Sequence, residues 1–223
     1  MGRSIKVLQE KDIKGFTLLE LLVVVALIGI ISAIGVPNFA SWKKDREVRV
    51  AAEKIADVVA GMNAQAKRGT YPYVEVLAIN SKSKSQGITI RGRGMTKSKL
   101  TTRLNSGTFP SCTRMSSRDW EDWIFDYNIK NVSIHTSGSD SVCFSSNEKY
   151  YQIDGKTLNT NKGIKLDNST TKTYAYIIVC SFNNTGGSGI CNPQNLSKPA
   201  YLISWSRFGN VRKFRWNNGD WVR

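Results

Sequence analysis

Apolar positions along the chain change period twice. From Leu21 to Ile31 the sequence reads LLVVVALIGII without a polar side chain, and from Phe16 to Trp42 it holds a single charge, Glu20. A helix over those 27 residues measures roughly 40 Å at ~1.5 Å per residue, enough for a bilayer core of ~30 Å. Before it, residues 1–15 carry Arg3, Lys6, Lys11 and Lys14 against Glu10 and Asp12; after it come Trp42, Lys43 and Lys44, an aromatic and basic border. The period then changes. Val48, Ala51, Ala52, Ile55, Val59, Met62 and Ala66 recur at three- and four-residue spacing, with Arg46, Glu53, Lys54 and Asp57 on other faces. This predicts an amphipathic continuation that stops at Lys67-Arg68-Gly69, a basic end followed by a glycine. One helix from Phe16 to Arg68 is expected, its first half in lipid and its second half under a globular head.

Beyond residue 70 the period becomes two. Tyr73 to Ile79 alternates and is rich in strand formers, and Gly87 to Ile90, Trp120 to Ile129, Val132 to His135, Tyr150 to Ile153, Tyr174 to Cys180, Tyr201 to Trp205 and Val211 to Trp216 read the same way. Asn-, Gly-, Ser- and Asp-rich turns separate them, and the polar stretch Lys156 to Thr173 reads as a long loop. The fold class is therefore α+β: a long N-terminal helix packed on an antiparallel β-sheet head. The expected parts are a leader at 1–15, a transmembrane helix at 16–42, its amphipathic continuation at 43–69 and a β-rich head at 70–223.

Glu20 decides what the apolar block is for. A cleaved secretory signal has a shorter apolar region and no acid, although small residues at Ala33 and Ala40 leave that alternative open. A plain anchor explains the length but not a carboxylate that costs roughly 2.5–3.5 kcal/mol to insert. Lys14-Gly15-Phe16-Thr17-Leu18-Leu19-Glu20, followed by the uninterrupted apolar run, resembles the prepilin signature of type IV pilins and type II secretion pseudopilins. That resemblance implies cleavage by a prepilin peptidase between Gly15 and Phe16, N-methylation of Phe16 and retention of the helix. It also implies pairing of Glu20 with the new Phe16 amine of a neighbouring subunit, which offsets the buried charge and sets the register. Gly29 and Pro37 sit where such helices carry helix-weakening residues, which cost ~1 and ~3 kcal/mol of helix propensity.

Ile55 to Val76 and the closing Ser206-Arg207-Phe208-Gly209-Asn210-Val211-Arg212 resemble the minor-pilin and pseudopilin branch called GspH/FimT. The expectation is a minor pilin stored in the bacterial inner membrane, leader cytoplasmic and head periplasmic, then assembled into a filament. The partners implied are other pilin subunits, the inner-membrane assembly platform and the prepilin peptidase. A type II secretion pseudopilin and a DNA-uptake receptor are the alternatives.

Charge bears on the last of these. The chain has 32 basic against 17 acidic residues, and the part after Trp42 has 28 against 14, so the head holds the excess. Two runs stand out. Arg91, Arg93, Lys97 and Lys99 fall within an acid-free stretch, and Arg207, Arg212, Lys213 and Arg215 alternate with Trp205, Phe208, Phe214 and Trp216. Cations neutralise phosphates and rings stack on bases, so these are the candidate DNA-binding residues. Some FimT-like proteins carry a GRxR-type motif near the C-terminus. Gly209-Asn210-Val211-Arg212-Lys213-Phe214-Arg215 matches it in charge but not in spacing, and a basic head equally suits anionic headgroups or an acidic partner subunit.

Four cysteines, all past the apolar block, read as disulfides of an oxidising compartment. Three pairings are possible. The short loop between Cys180 and Cys191 favours that bridge, leaving Cys112 with Cys143. A single histidine and no catalytic fingerprint argue against an enzyme, and no metal or cofactor is expected. Arg91-Gly92-Arg93-Gly94 lacks the strand-to-helix setting of a phosphate cradle.

Overall fold

The computed structural model describes residues 15–81, 87–107, 120–121, 123–137, 141–146, 152–153, 164–165, 172–173, 175–186, 188–206 and 208–223, with side chains at 34–38, 152–153, 164–165 and 172–173 outside the description. It divides into two compact units, residues 1–42 and 43–223. Helix α1 (Leu18–Lys67) holds Gly29 and Pro37 within its span. In the first unit its large apolar side chains from Leu18 to Ile31 are all exposed. Among the described residues no helix is long and apolar enough to cross a membrane. The apolar run with described side chains ends at Ala33, about 24 Å from Leu18 at ~1.5 Å per residue, against a core of ~30 Å. The expected transmembrane span is therefore not established by the described residues.

The second unit is built around the later part of α1. Val48, Ala51, Ala52, Ile55, Val59, Met62 and Ala66 are all buried, as the three- and four-residue spacing predicts. The helix ends where expected. Gly69 adopts φ +78°, a conformation open to glycine at little cost, and its N–H donates to the Ala66 carbonyl at 3.0 Å.

The remaining elements are β1 (Tyr73–Asn80), β2 (Ile88–Met95), α2 (Lys97–Asn105), β3 (Phe125–Ile129), β4 (Val132–Thr136), β5 (Ser141–Ser145), β6 (Gln152–Ile153), β7 (Ile164–Lys165), β8 (Lys172–Thr173), β9 (Tyr176–Ser181), β10 (Ala200–Trp205), β11 (Val211–Asn217) and β12 (Asp220–Val222). They form two antiparallel five-stranded sheets, ordered β3-β2-β1-β5-β6 and β12-β11-β10-β9-β4, and a two-stranded pair, β7-β8. One face of each sheet packs on α1. Val74, Val76, Ala78, Ile88, Ile90, Val142 and Phe144 from the first sheet share one core with Val132, Ile134, Ile177, Val179, Tyr201, Ile203 and Trp205 from the second. The opposite faces bury smaller clusters: Tyr73, Met95, Trp120 and Cys143 on the first sheet, and Tyr176, Ile178, Leu202, Phe214 and Trp221 on the second.

Several expectations change. The strand expected at Trp120 begins only at Phe125, and β2 continues through Gly92 and Gly94 to Met95. The stretch read as a loop from Lys156 to Thr173 contains the paired strands β7 and β8. Helix α2, KSKLTTRLN, buries none of its residues, so it carries no apolar period to read. Strand β12 returns on β11 through Asn218 (φ +48°) and Gly219 (φ +114°), an Asn-Gly turn whose signal stood in the sequence.

Candidate processing and assembly site

Gly15, Phe16 and Thr17 lie outside helical geometry, immediately before α1, and all three are exposed. Thr17 sets the start. Its Oγ1 accepts the Glu20 N–H at 3.2 Å and its carbonyl accepts the Leu21 N–H at 3.2 Å. Thr-Leu-Leu-Glu is a capping-box arrangement, so the chain enters its helix two residues after the Gly15–Phe16 bond. Irregular, exposed backbone is what a peptidase can bind in extended form. Nothing lies within 4 Å of where a Gly15 side chain would stand. Glu20 occupies the first turn, where a carboxylate suits the helix N-terminus. Among the described residues it has no ion-pair partner.

Phe16 is 82 % exposed and Leu18 85 %, and Leu21, Leu22, Val25, Leu27, Ile28, Ile30 and Ile31 all exceed half exposure. These residues face every side of the helix. A helix apolar all round is stable only inside lipid or among other helices.

The head cations are placed differently from a free basic patch. On β2 the alternation of Arg91-Gly92-Arg93-Gly94 is structural: the glycines face α1 and the arginines the other side. A Cβ at Gly92 would stand 2.8 Å from Met62 Sδ, and one at Gly94 would stand 2.2 Å from the Tyr71 ring. Arg91 Nε donates to Asp126 at 3.1 Å. Arg93 is a correction to the sequence reading, because it is 6 % exposed. Its Nε donates to Glu75 Oε2 at 2.5 Å, and its guanidinium sits 4.9 Å from the Trp120 ring and 4.7 Å from the Trp123 ring. Burial pushes the Glu75 carboxyl above its ordinary range, and the Arg93 charge and hydrogen bond only partly oppose it. Among the described residues Glu75 Oε1 has no hydrogen-bond partner. Burial, aided by the Glu75 charge, also raises the Tyr73 phenol. Lys99 pairs with Glu121 at 2.8 Å, while Lys97 is exposed.

On β11, Lys213 reaches Glu53 at 3.9 Å and Arg215 reaches Asp45 at 3.3 Å, both acids of α1. Arg212 is exposed, and Arg207 lies outside the described residues. The Ser206–Asn210 turn before β11 also seats on the helix. Lys67 Nζ donates to the Phe208 carbonyl at 2.8 Å. Gly209 (φ +76°) lies so close to Asn63 that a Cβ would stand 2.1 Å from its Cγ. Successive positions 208, 209, 213 and 215 thus meet residues 67, 63, 53 and 45, so β11 and its turn run antiparallel to α1. Two members of the cluster read as a candidate for phosphate binding, Lys213 and Arg215, thus pair with the helix. Asp45 and Asn63 were not singled out from the sequence, and Lys67 and Tyr201 were read only as part of a helix end and the start of a strand. Asp45 carried no signal beyond helix-surface charge.

Cys180 and Cys191 are bridged. Cys143 is also disulfide-bonded, and among the described residues no cysteine is free; Cys112, its expected partner, lies outside the described residues. The bridged loop is tied to the junction of the two sheets through Asn80, which donates to the Gly189 carbonyl at 2.6 Å and to Ser133 Oγ at 3.0 Å. Among the described residues no group of His, Cys, Asp or Glu could hold a metal ion.

Comparison with known proteins agrees with the N-terminal geometry. The prokaryotic N-terminal methylation motif matches residues 11–36, bracketing Gly15, Phe16 and Glu20. Fimbrial protein Q of Moraxella bovis is 36% identical over 95 residues, covering 42% of this chain and 59% of that protein. The type IV major alpha-pilin of Moraxella bovis is 34% identical over 99 residues, 44% of this chain and 57% of that protein. The chain thus spans less than two thirds of the length of the curated relatives it matches, and no solved structure matches it significantly. With a methylation motif at the start of a helix apolar on every side, the chain is similar to type IV pilins over less than half of its length.

Proposed function

We propose that this protein is a minor pilin, cleaved between Gly15 and Phe16 by a prepilin peptidase, methylated on Phe16, held in the inner membrane by its N-terminal helix and then assembled into a type IV pilus. The observation that carries the reading is the conjunction at the start of α1. The scissile bond lies in exposed, non-helical backbone, Thr17 caps the helix, and Glu20 stands in the first turn of a helix exposed and apolar on all sides. In a bundle of such helices Glu20 meets the Phe16 amine of a neighbour, which neutralises both charges. The cytoplasmic leader and periplasmic head belong to the same proposal.

A pilus is favoured over a secretion pseudopilus because the matched relatives are a fimbrial protein and a pilin. The minor role rests on the resemblance of Ile55 to Val76 and of Ser206 to Arg212 to the GspH/FimT branch, while one of the matched relatives is a major pilin. A filament subunit is favoured over a DNA receptor because Arg91, Arg93 and Lys99 of the first candidate run are engaged by acids of the same chain. The test is incorporation of the full-length Glu20→Gln variant into sheared fibres: the reading expects a loss of tenfold or more, and wild-type levels contradict it.

A further inference from the structure

The base of the second unit gathers cations from two distant parts of the chain. Lys43, Lys44, Arg46 and Arg49 follow Trp42 within two helical turns. Strand β11 adds Lys213 and Arg215 from the far end of the sequence, through their contacts with Glu53 and Asp45. The Tyr201 hydroxyl donates to Asp45 at 3.2 Å and Arg215 reaches the same carboxylate at 3.3 Å, so these groups converge. The acids present are Asp45, Glu47 and Glu53. Asp45 is shared by Tyr201 and Arg215, and Glu53 faces Lys213. Six cations against three acids leave an excess of positive charge. Although paired, Arg215 keeps 55% and Lys213 50% of side-chain exposure, and Lys43, Lys44 and Arg49 are exposed. Arg215 can therefore hold Asp45 and still present N–H donors outward.

We propose that this cationic base is a docking surface for the phosphate headgroups of anionic phospholipids, engaged while the subunit waits in the membrane. The proposal rests on the membrane-stored reading above. The argument is position and charge. The first cations follow directly on Trp42, whose ring packs with Phe39 at 5.7 Å, an aromatic pair of the kind that sits at headgroup level. Lys43 and Lys44 follow Trp42 directly in sequence, so a tryptophan at that level brings them among phosphates. Each basic side chain at an anionic surface strengthens binding roughly fivefold, and salt weakens it. Strand β11 thereby makes the head itself, and not the helix alone, sense the membrane surface.

The test uses the full-length chain in phosphatidylcholine vesicles carrying a trace of dansyl-phosphatidylglycerol or dansyl-phosphatidylcholine, read by energy transfer from the tryptophans. The expected result is a several-fold stronger signal from the anionic probe, falling to parity near half-molar salt. The preference is lost in Lys43→Gln/Lys44→Gln/Arg215→Gln and kept in Arg215→Lys. Equal signals in vesicles that contain the protein overturn the proposal while the membrane-stored reading stands. Protein that floats with neither vesicle overturns that reading and the proposal with it. A preference unchanged in the triple variant also overturns it, as does displacement of the anionic probe by a stoichiometric DNA duplex, which would assign the surface to nucleic acid.

Discussion

Asp45 and Arg215, 170 positions apart in sequence, meet at 3.3 Å, and the same carboxylate accepts the Tyr201 hydroxyl at 3.2 Å. One acid on α1 therefore ties down two adjacent strands, because Tyr201 and Arg215 are register partners on β10 and β11. The ion pair alone contributes little, since Arg215 is more than half exposed. The hydroxyl bond is better shielded. Asp45→Ala is expected to destabilise the head by about 1–2 kcal/mol. Arg215→Ala is expected to cost less than about 1 kcal/mol. Denaturant titration of both variants measures the difference, and a larger loss in Arg215→Ala contradicts this ranking.

The Gly209–Asn63 contact makes a sharper prediction. Gly209→Ala faces two penalties, a positive φ and a Cβ at 2.1 Å from the Asn63 side chain. The expected loss is on the order of 2–4 kcal/mol. Adding Asn63→Ala removes the clash but not the backbone cost, so the double variant should recover part of the loss. Full recovery would mean that the left-handed conformation carries no cost there.

Glu75 and Arg93 form a buried pair beneath two tryptophans. Arg93→Met alone strands a buried carboxylate and is expected to cost about 3–5 kcal/mol, whereas Glu75→Leu/Arg93→Met together should come close to wild type. The pair also gives a pH signature. The folded-state pKa of Glu75 is raised above the ordinary 4.5. Its contribution to stability is fully present below the unfolded value and is lost as pH rises through the folded one. Glu75→Gln should remove that downward slope from a plot of unfolding free energy against pH. A slope unchanged in the variant would assign it to other groups.

The Cys180–Cys191 bridge and the Asn80 bonds act on the same loop. Loss of the bridge in Cys180→Ser/Cys191→Ser is expected to cost roughly 2–3 kcal/mol. Asn80→Ala, which takes away the Asn80 acceptor of the Ile134 N–H and leaves the Gly189 carbonyl with the Ser133 hydroxyl alone of its two donors, is expected to cost about 1–3 kcal/mol. Because both act on the loop, the combined variant should lose less than the sum. Thermal unfolding of the three variants checks this.

The helix and its buried stripe were legible because burial there follows one period, and Val48, Ile55, Val59 and Met62 all obey it. Most strand positions were legible for the same reason. What escaped had no such signal. Helix α2 buries nothing, and β5 (Ser141–Ser145) turns only Val142 and Phe144 toward the core between two polar neighbours. Gly15, Phe16 and Glu20, the residues proposed for processing and assembly, form a local motif, so their candidacy needs no tertiary information. The uses of the cations could not. Whether Arg93 is a ligand for phosphate or the partner of Glu75 depends on a β1–β2 register that pairs residues 18 positions apart. Arg215 depends on a helix 170 positions away. Composition gives the charge excess, while tertiary pairing decides how much of it remains free.

The central claim concerns the bond between Gly15 and Phe16. Intact-mass and N-terminal fragment analysis of the protein recovered from sheared surface fibres tests it most directly. The account predicts a chain that begins at N-methylated Phe16 and retains Glu20 and the whole of α1. A chain that still begins at Met1, or one that begins after Ala33 or Ala40 without the apolar helix, contradicts it.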